Sequence, residues 1–142
     1  MREIKFRGKN LNGKWIHGYL GEDKIIIGRV FTTKVIFENL ESFQTDNFSL
    51  VVKDHAVLED TIGQFTGIKD KNGKEIYEGD IVLQKGYNGK KIPMCVEFSC
   101  GAFIVGYHKG SSTKNTPMLI NSKCEVIGNI YDNPELLEEG EK

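Results

Sequence analysis

The sequence is poor in the residue type that builds helical bundles. Only two of its 142 residues are alanine, whereas the β-branched residues Val, Ile and Thr together number 31. Alanine is the strongest helix former, and β-branched side chains pack best on the pleated surface of a strand. Sixteen glycines supply the turns that many short strands need. The composition therefore disfavours a helical bundle and favours an all-β fold of many short strands.

Long apolar segments are also absent. No apolar run approaches the roughly 20 residues that a membrane-spanning helix needs. Residues 1–7 alternate charged and apolar side chains and lack the apolar centre of a signal peptide. We therefore expect a cytoplasmic protein without a membrane partner. In that reducing compartment the three cysteines, an odd number, are expected to be free thiols.

The net charge is also small, at −1, so no global field draws the chain to nucleic acid or to an anionic membrane. The local distribution is uneven. Residues 85–123 contain six lysines and one acid, whereas residues 125–142 contain six acids and one lysine. This pattern has two interpretations: a solvated surface followed by an acidic tail, or a basic face that contacts an anionic partner.

Three Asn-Gly-Lys sequences divide the chain, at residues 12–14, 72–74 and 88–90. Asn-Gly places two residues that tolerate a positive φ side by side, which predicts two-residue hairpin turns of type I′. The first hairpin is predicted to pair residues 3–9 with residues 14–20. Alternation along its second arm puts three rings on one face: Trp15, His17 and Tyr19.

Further runs with strand-like alternation follow between turn residues. They lie at 24–27, 29–31, 34–37, 48–52, 93–98, 102–108, 118–121 and 124–131. Asn133, Pro134 and Glu135 predict the start of a short C-terminal helix. We expect one compact barrel-like or sandwich domain of short antiparallel strands over residues 1–142. Two small SH3-like lobes, at 1–60 and 61–135, are the alternative arrangement.

The candidate metal ligands and catalytic groups form no recognisable constellation. Cys95 and Cys100 have only the widest spacing seen in zinc sites, and on one strand they would point to opposite faces. Asp70 and Asp80 are predicted to organise turns through hydrogen bonds to nearby backbone N–H groups. We therefore expect no catalytic residue, no metal, no cofactor and no enzymatic activity.

Two basic segments suggest that the protein binds an anionic ligand. Residues 85–91 form a hairpin tip rich in glycine and lysine but without the phosphate-loop motif, and residues 109–114 form a second basic stretch. Lysines contact phosphates, and an exposed ring can stack on a base. The candidate nucleic-acid-binding residues are Lys85, Tyr87, Lys90, Lys91, Lys109 and Lys114. The alternative is two solvated hairpin tips.

Three segments resemble a known family. Residues 64–82, QFTGIKDKNGKEIYEGDIV, resemble the central signature of the YopX family of phage and prophage proteins. Residues 2–7 and 126–137 resemble its first strand and its C-terminal close, whereas 20–55 and 84–123 match no family pattern. The resemblance implies a mostly β fold and an origin in a phage or prophage. It implies no catalytic residue, because the family has no assigned activity.

We therefore expect a small phage or prophage accessory protein that acts without catalysis. It would bind a phage or host protein, or associate with itself. The missing catalytic motifs, the small net charge and the edges of many short strands favour this hypothesis. The alternative is a nucleic-acid-binding β-barrel that uses the basic hairpin face.

Overall fold

The structure is a computed structural model that describes residues 3–27, 29–38, 55–86, 89–99, 101–106 and 118–139. For residues 23–31 and 138–139 within these ranges, only the backbone is considered. The described residues form two antiparallel five-stranded sheets and one short helix. The predicted all-β class, with a short C-terminal helix, is confirmed.

The chain divides into two compact units, residues 1–65 and residues 66–142. The first unit contains three strands and the start of a fourth: β1 (Phe6–Lys9), β2 (Trp15–Ile27), β3 (Arg29–Phe37) and β4 (Gly63–Lys69). Their order in the sheet is β3-β2-β1-β4. The first residues of β4 pair with β1, and the rest of β4 continues into the second unit. The domain boundaries proposed from the sequence stay a prediction.

The first unit has fewer and longer strands than the sequence predicted. Residues 24–27 belong to the 13-residue β2, and residues 29–37 form the single strand β3. The two strands pair without interruption from Tyr19, opposite Phe37, to Ile27, opposite Arg29. The predicted break at residues 32–33 was wrong because Thr32 and Thr33 are β-branched and continue the strand. The strand candidate at 48–52 lies outside the described residues.

Alternate residues of β3 pack into different clusters of the first unit. Ile36 packs with Ile16 and Val57, whereas Val35 packs with Phe37 and Ala56. Neighbouring residues of a strand point to opposite faces, so β3 is buried on both sides. Ala56 and Val57 join the strands through single bridges, to Val35 and Asn10 respectively. A short 3₁₀ turn, Glu59–Thr61, follows.

The second unit contains the end of β4, its hairpin partner β5 (Glu75–Tyr77) and the second sheet. That sheet has the order β10-β6-β7-β8-β9. Its strands are β6 (Asp80–Lys85), β7 (Lys91–Ser99), β8 (Ala102–Gly106), β9 (Met118–Leu119) and β10 (Glu125–Asn129), followed by helix α1 (Glu135–Glu139). The core of the unit consists of Ile76, Val82, Met94, Val96, Val105 and Cys124.

The first two Asn-Gly-Lys sequences lie in hairpin turns, as do Gly89 and Lys90 of the third, but the turn type differs from the prediction. In the first turn, the Gly13 N–H donates to the Asn10 carbonyl at 3.0 Å, and the Asn10 N–H donates to the Lys14 carbonyl at 2.9 Å. The same pair of bonds recurs at the other two turns. This pattern is a three-residue loop with a glycine bulge. Asn-Gly suits it as well as a type I′ turn, because only the glycine needs a positive φ.

Candidate functional site

Two of the predicted lysines face each other across a strand pair. Lys85 ends β6 and Lys91 begins β7, and the register pairs them directly. Both side chains are exposed. Lys90 lies between them in the third turn, where its carbonyl accepts a hydrogen bond from the Gly86 N–H at 2.8 Å. The structure therefore brings Lys85, Lys90 and Lys91 to one end of the second sheet.

The other three predicted residues, Tyr87, Lys109 and Lys114, lie outside the described residues. Their part in a binding site stays a prediction.

A further lysine joins this end of the sheet through the pairing of β10 with β6. Glu125, the first residue of β10, lies opposite Leu83, and Lys123 lies in the turn just before β10, where it lines the same cavity as Lys85 and Lys91. Lys85 and Lys91, on paired strands, and Lys123, in the turn before β10, therefore lie together at one end of the second sheet. We call these three residues the lysine row.

A buried glutamine fixes the turn that carries Lys123. Gln84 is 4% exposed. Its Nε2 donates to the Leu119 carbonyl at 3.1 Å, and its Oε1 accepts from the Asn121 N–H at 2.9 Å. The Asn121 side chain in turn accepts from the Lys123 N–H at 2.8 Å. The side-chain amide of Gln84 thus uses both its nitrogen and its oxygen to hold the backbone that leads to Lys123.

An open cavity of about 210 Å³ lies at the lysine row. Its lining residues are Leu83, Gln84, Lys85, Lys91, Asn121, Lys123 and Cys124. Three of the seven are cationic and none is acidic. The arrangement is suited to an anion of the size of a phosphate group.

No described ion pair neutralises the lysine row. The ion pairs of the described ranges include Lys5–Glu3, Lys34–Glu22 and Lys71–Glu125, which involve other lysines. Glu125, the nearest acid along β10, is 3.3 Å from Lys71 and so belongs to another pair. Like charges on directly opposite residues of a sheet are destabilising. A bound anion would remove that repulsion.

The buried carboxylate of Asp70 has a structural role. Its Oδ1 accepts from the N–H groups of Asn72 and Lys74 at 2.8 and 2.9 Å, and its Oδ2 accepts from the Val126 N–H at 3.0 Å. Burial alone raises the pKa of Asp70, but these three hydrogen bonds and the Lys74 charge together lower it below its ordinary value of 3.8. Asp80 accepts from the Tyr77 N–H at 2.8 Å. The prediction that both carboxylates organise turns is confirmed.

The described thiols are poor nucleophiles. Burial, followed by the charges of Glu97 and Asp80, raises the pKa of Cys95 to about 11. Burial, followed by the charge of Asp70, raises the pKa of Cys124 to about 11 as well. The thiolate is the reactive form, so neither thiol is activated at neutral pH. Over the described ranges, no group of three His, Cys, Asp or Glu side chains could hold a metal ion.

Sequence reasoning missed Lys123 as a member of the site. Its only sequence signal was its place in the basic segment 85–123, where all six lysines look alike. Lys85 and Lys123 are far apart along the chain, and only the folded structure brings them to the same cavity.

These features define an all-β protein whose second sheet carries a cationic cavity at one end. The chain belongs to the YopX family, because the pattern described as "YopX protein" matches residues 5–138. Among solved structures it is similar to protein EF1440 from Enterococcus faecalis, at 23% identity and a TM-score of 0.48. That match covers 96% of this chain and 99% of the other. No curated protein matches the chain.

None of the helices in the part of the chain that the structure describes is long and apolar enough to cross a membrane.

Proposed function

We propose that this protein is a non-catalytic binding module that contacts the phosphates of nucleic acid through the lysine row. The observation that carries the proposal is the cavity of about 210 Å³ flanked by Lys85, Lys91 and Lys123. Lysines supply the sequence-independent part of nucleic-acid affinity by neutralising phosphates. Glu125, the nearest acidic residue along β10, pairs with Lys71 and so does not compete for the lysine row.

The chemistry of the described side chains supports a role without catalysis. Asp70 and Asp80 use their oxygens to hold backbone N–H groups, and the thiols of Cys95 and Cys124 are protonated at neutral pH. A general base or nucleophile needs a pKa near the working pH. The carboxylate of Asp70, whose pKa is lowered, and the thiols of Cys95 and Cys124, whose pKa is raised to about 11, do not meet that requirement.

The setting follows from the family. The resemblance to the YopX family of phage and prophage proteins supports an accessory role, and we infer that this role is in the cytoplasm of a bacterial host. Nucleic acid is the abundant polyanion of that setting, and it presents a continuous series of phosphates to a row of lysines.

Salt-dependent duplex binding tests the proposal. Fluorescence anisotropy with a labelled DNA duplex gives the slope of log K against log salt concentration, which is about −0.9 for each neutralised phosphate. Three lysines predict a slope of about −2.7, and the Lys85→Gln/Lys91→Gln variant should retain about −0.9.

A matched variant controls for net charge. Lys14→Gln/Lys69→Gln removes the same charge from exposed positions outside the cavity and should keep the wild-type slope. The proposal fails if the wild-type protein binds no duplex at low salt. It also fails if both double variants change the slope equally.

A second candidate function is self-association, which the sequence favoured. β9 is the last strand of the second sheet in the described residues, and its Leu119 is 76% exposed beside its partner Ile104. An exposed apolar edge strand is a template for pairing with another chain.

Light scattering at micromolar concentration should show a multimer that Leu119→Ser dissociates. Leu11→Ser, at a turn position that is 58% exposed, should leave it intact, and a monomeric wild type would remove this candidate.

A further inference from the structure

One face of the first sheet combines cations with aromatic rings. The register pairs Lys9 with Trp15 and Arg7 with His17, and directly paired residues share a face. Alternation adds Tyr19 on β2 and Lys5, which directly precedes β1, to that face. We call the resulting surface the aromatic face; it consists of Lys5, Arg7, Lys9, Trp15, His17 and Tyr19.

The cations hold the indole in place. The Arg7 guanidinium carbon lies 4.7 Å from the centre of the Trp15 ring, and the Lys9 Nζ lies 5.5 Å from it. Both distances are within the range of a cation–π interaction. Trp15 is half-buried, whereas His17 is exposed and Tyr19 is 48% exposed. Two cations thus hold the indole of Trp15 on the same face from which the rings of His17 and Tyr19 reach solvent.

A small cavity of about 170 Å³ opens next to these two rings. Its lining residues are Glu3, Ile4, Lys5, His17, Gly18, Tyr19 and Glu38. Typical sites for drug-sized molecules occupy about 300–1,000 Å³, so this cavity is suited to a single planar ring system. The Glu3 carboxylate lies 3.4 Å from the Lys5 Nζ. The carboxylates of Glu3 and Glu38 can both accept hydrogen bonds from a ligand in the cavity.

The carboxylates decide which part of a nucleotide fits. Glu3 and Glu38 would repel a phosphate, whereas glutamate accepts hydrogen bonds from the exocyclic amino group of a base. The phosphates would instead lie towards Lys9, the half-buried cation of β1, because Arg7 is only 6% exposed. A base in the cavity and a backbone along β1 match the way in which strand surfaces bind unpaired nucleotides.

The geometry points to the aromatic face as a second nucleic-acid site, specific for single strands. Unpaired bases stack on Tyr19 and His17, one base enters the cavity beside them, and Lys9 contacts the backbone. A duplex keeps its bases stacked inside and cannot use these rings. The inference rests on the proposed function only for its ligand class, because the residues and the unit of the fold are different.

The sole tryptophan of the chain reports on this face directly. Titration with an unlabelled 15-mer of mixed single-stranded DNA should quench the fluorescence of Trp15 in a saturable way. Tyr19→Ala and His17→Ala should each weaken single-strand binding by at least about fivefold, as expected for the loss of one stacked base, and should leave duplex affinity unchanged.

Two controls separate stacking from folding. Tyr19→Phe keeps the ring and should bind within about twofold of the wild type, because stacking does not need the hydroxyl. Leu20→Ala changes the neighbouring residue on the opposite face and should have no effect. Single-strand affinity that is unchanged in Tyr19→Ala and His17→Ala, or fluorescence that is unchanged at saturation, would overturn the inference.

The outcomes separate the two proposals. Duplex binding without quenching by single strands would overturn the aromatic face alone. Quenching by single strands without duplex binding would overturn the lysine row alone, because each measurement reports on its own set of residues.

Discussion

At the scale of single residues, the two oxygens of Asp70 have different roles. Oδ1 closes its own turn, as the Oδ1 of Asn10 does in the first hairpin, where it accepts from Asn12 and Lys14. Oδ2 reaches across the second unit to the Val126 N–H. The turn role could be predicted from the sequence, because it is local. The bond to β10 could not, because no local pattern identifies Val126 as the donor.

This division predicts the effect of Asp70→Asn. An amide keeps the turn bonds but places an N–H₂ group against the Val126 N–H, so a buried donor loses its acceptor. We expect a loss of about 1–3 kcal/mol in the free energy of unfolding at pH 7. Urea denaturation followed by circular dichroism measures it. Asp60→Asn, at an exposed position, should stay within about 0.5 kcal/mol of the wild type.

The same substitution should flatten the acid limb of the stability curve. The pKa of Asp70 is lowered in the folded state, so its contribution is complete well above the ordinary value of 3.8 and is lost as the pH falls through the folded value. The difference in unfolding free energy between wild type and Asp70→Asn should therefore shrink below pH 3.8. A difference that is constant down to pH 2 would contradict this account.

At the scale of elements, the turns were the most predictable feature. Asn-Gly-Lys located all three hairpins because a glycine that tolerates a positive φ is needed at each, and Gly13, Gly73 and Gly89 have φ of 81, 83 and 79°. The turn type was wrong because the same dipeptide satisfies two loops of different length. Strand lengths in the first unit were wrong because pairing, not composition, decides where β2 and β3 end.

The turn geometry predicts how Gly73 responds to substitution. A Cβ at Gly73 would meet no atom within 4 Å, so the cost of Gly73→Ala is the backbone strain alone, about 1–2 kcal/mol. Gly73→Asn should cost clearly less, because asparagine adopts this conformation more readily. Chemical denaturation measures both variants. Equal losses for alanine and asparagine would show that the strain is not in the backbone.

At the scale of the whole molecule, a net charge of −1 conceals a local concentration of positive charge. The sequence indicated that residues 85–123 are basic, but it left open whether the acids of 125–142 neutralise them. The structure answers this for Glu125, whose partner is Lys71. Composition cannot predict such a pairing, because it depends on which side chains the register of β10 places together.

The lysine row also predicts an effect on the stability of the whole protein. A ligand that binds only the folded state raises stability by mass action. Sodium phosphate should therefore raise the Tm more than sodium chloride of equal ionic strength, by roughly 2–4 °C for each kcal/mol of binding free energy. Differential scanning fluorimetry measures the shift.

Phosphate also stabilises proteins in general, because it is excluded from their surfaces, and the variants separate that effect from binding. The general effect acts equally on all variants. Binding at the row predicts that Lys85→Gln/Lys91→Gln loses most of the phosphate-specific shift, whereas Lys14→Gln/Lys69→Gln keeps it. Removing two of three like charges should also raise the Tm of the first variant in low salt, because the repulsion across β6 and β7 is relieved. A phosphate-specific rise in Tm that is equal in both double variants would mean that the lysine row binds no phosphate.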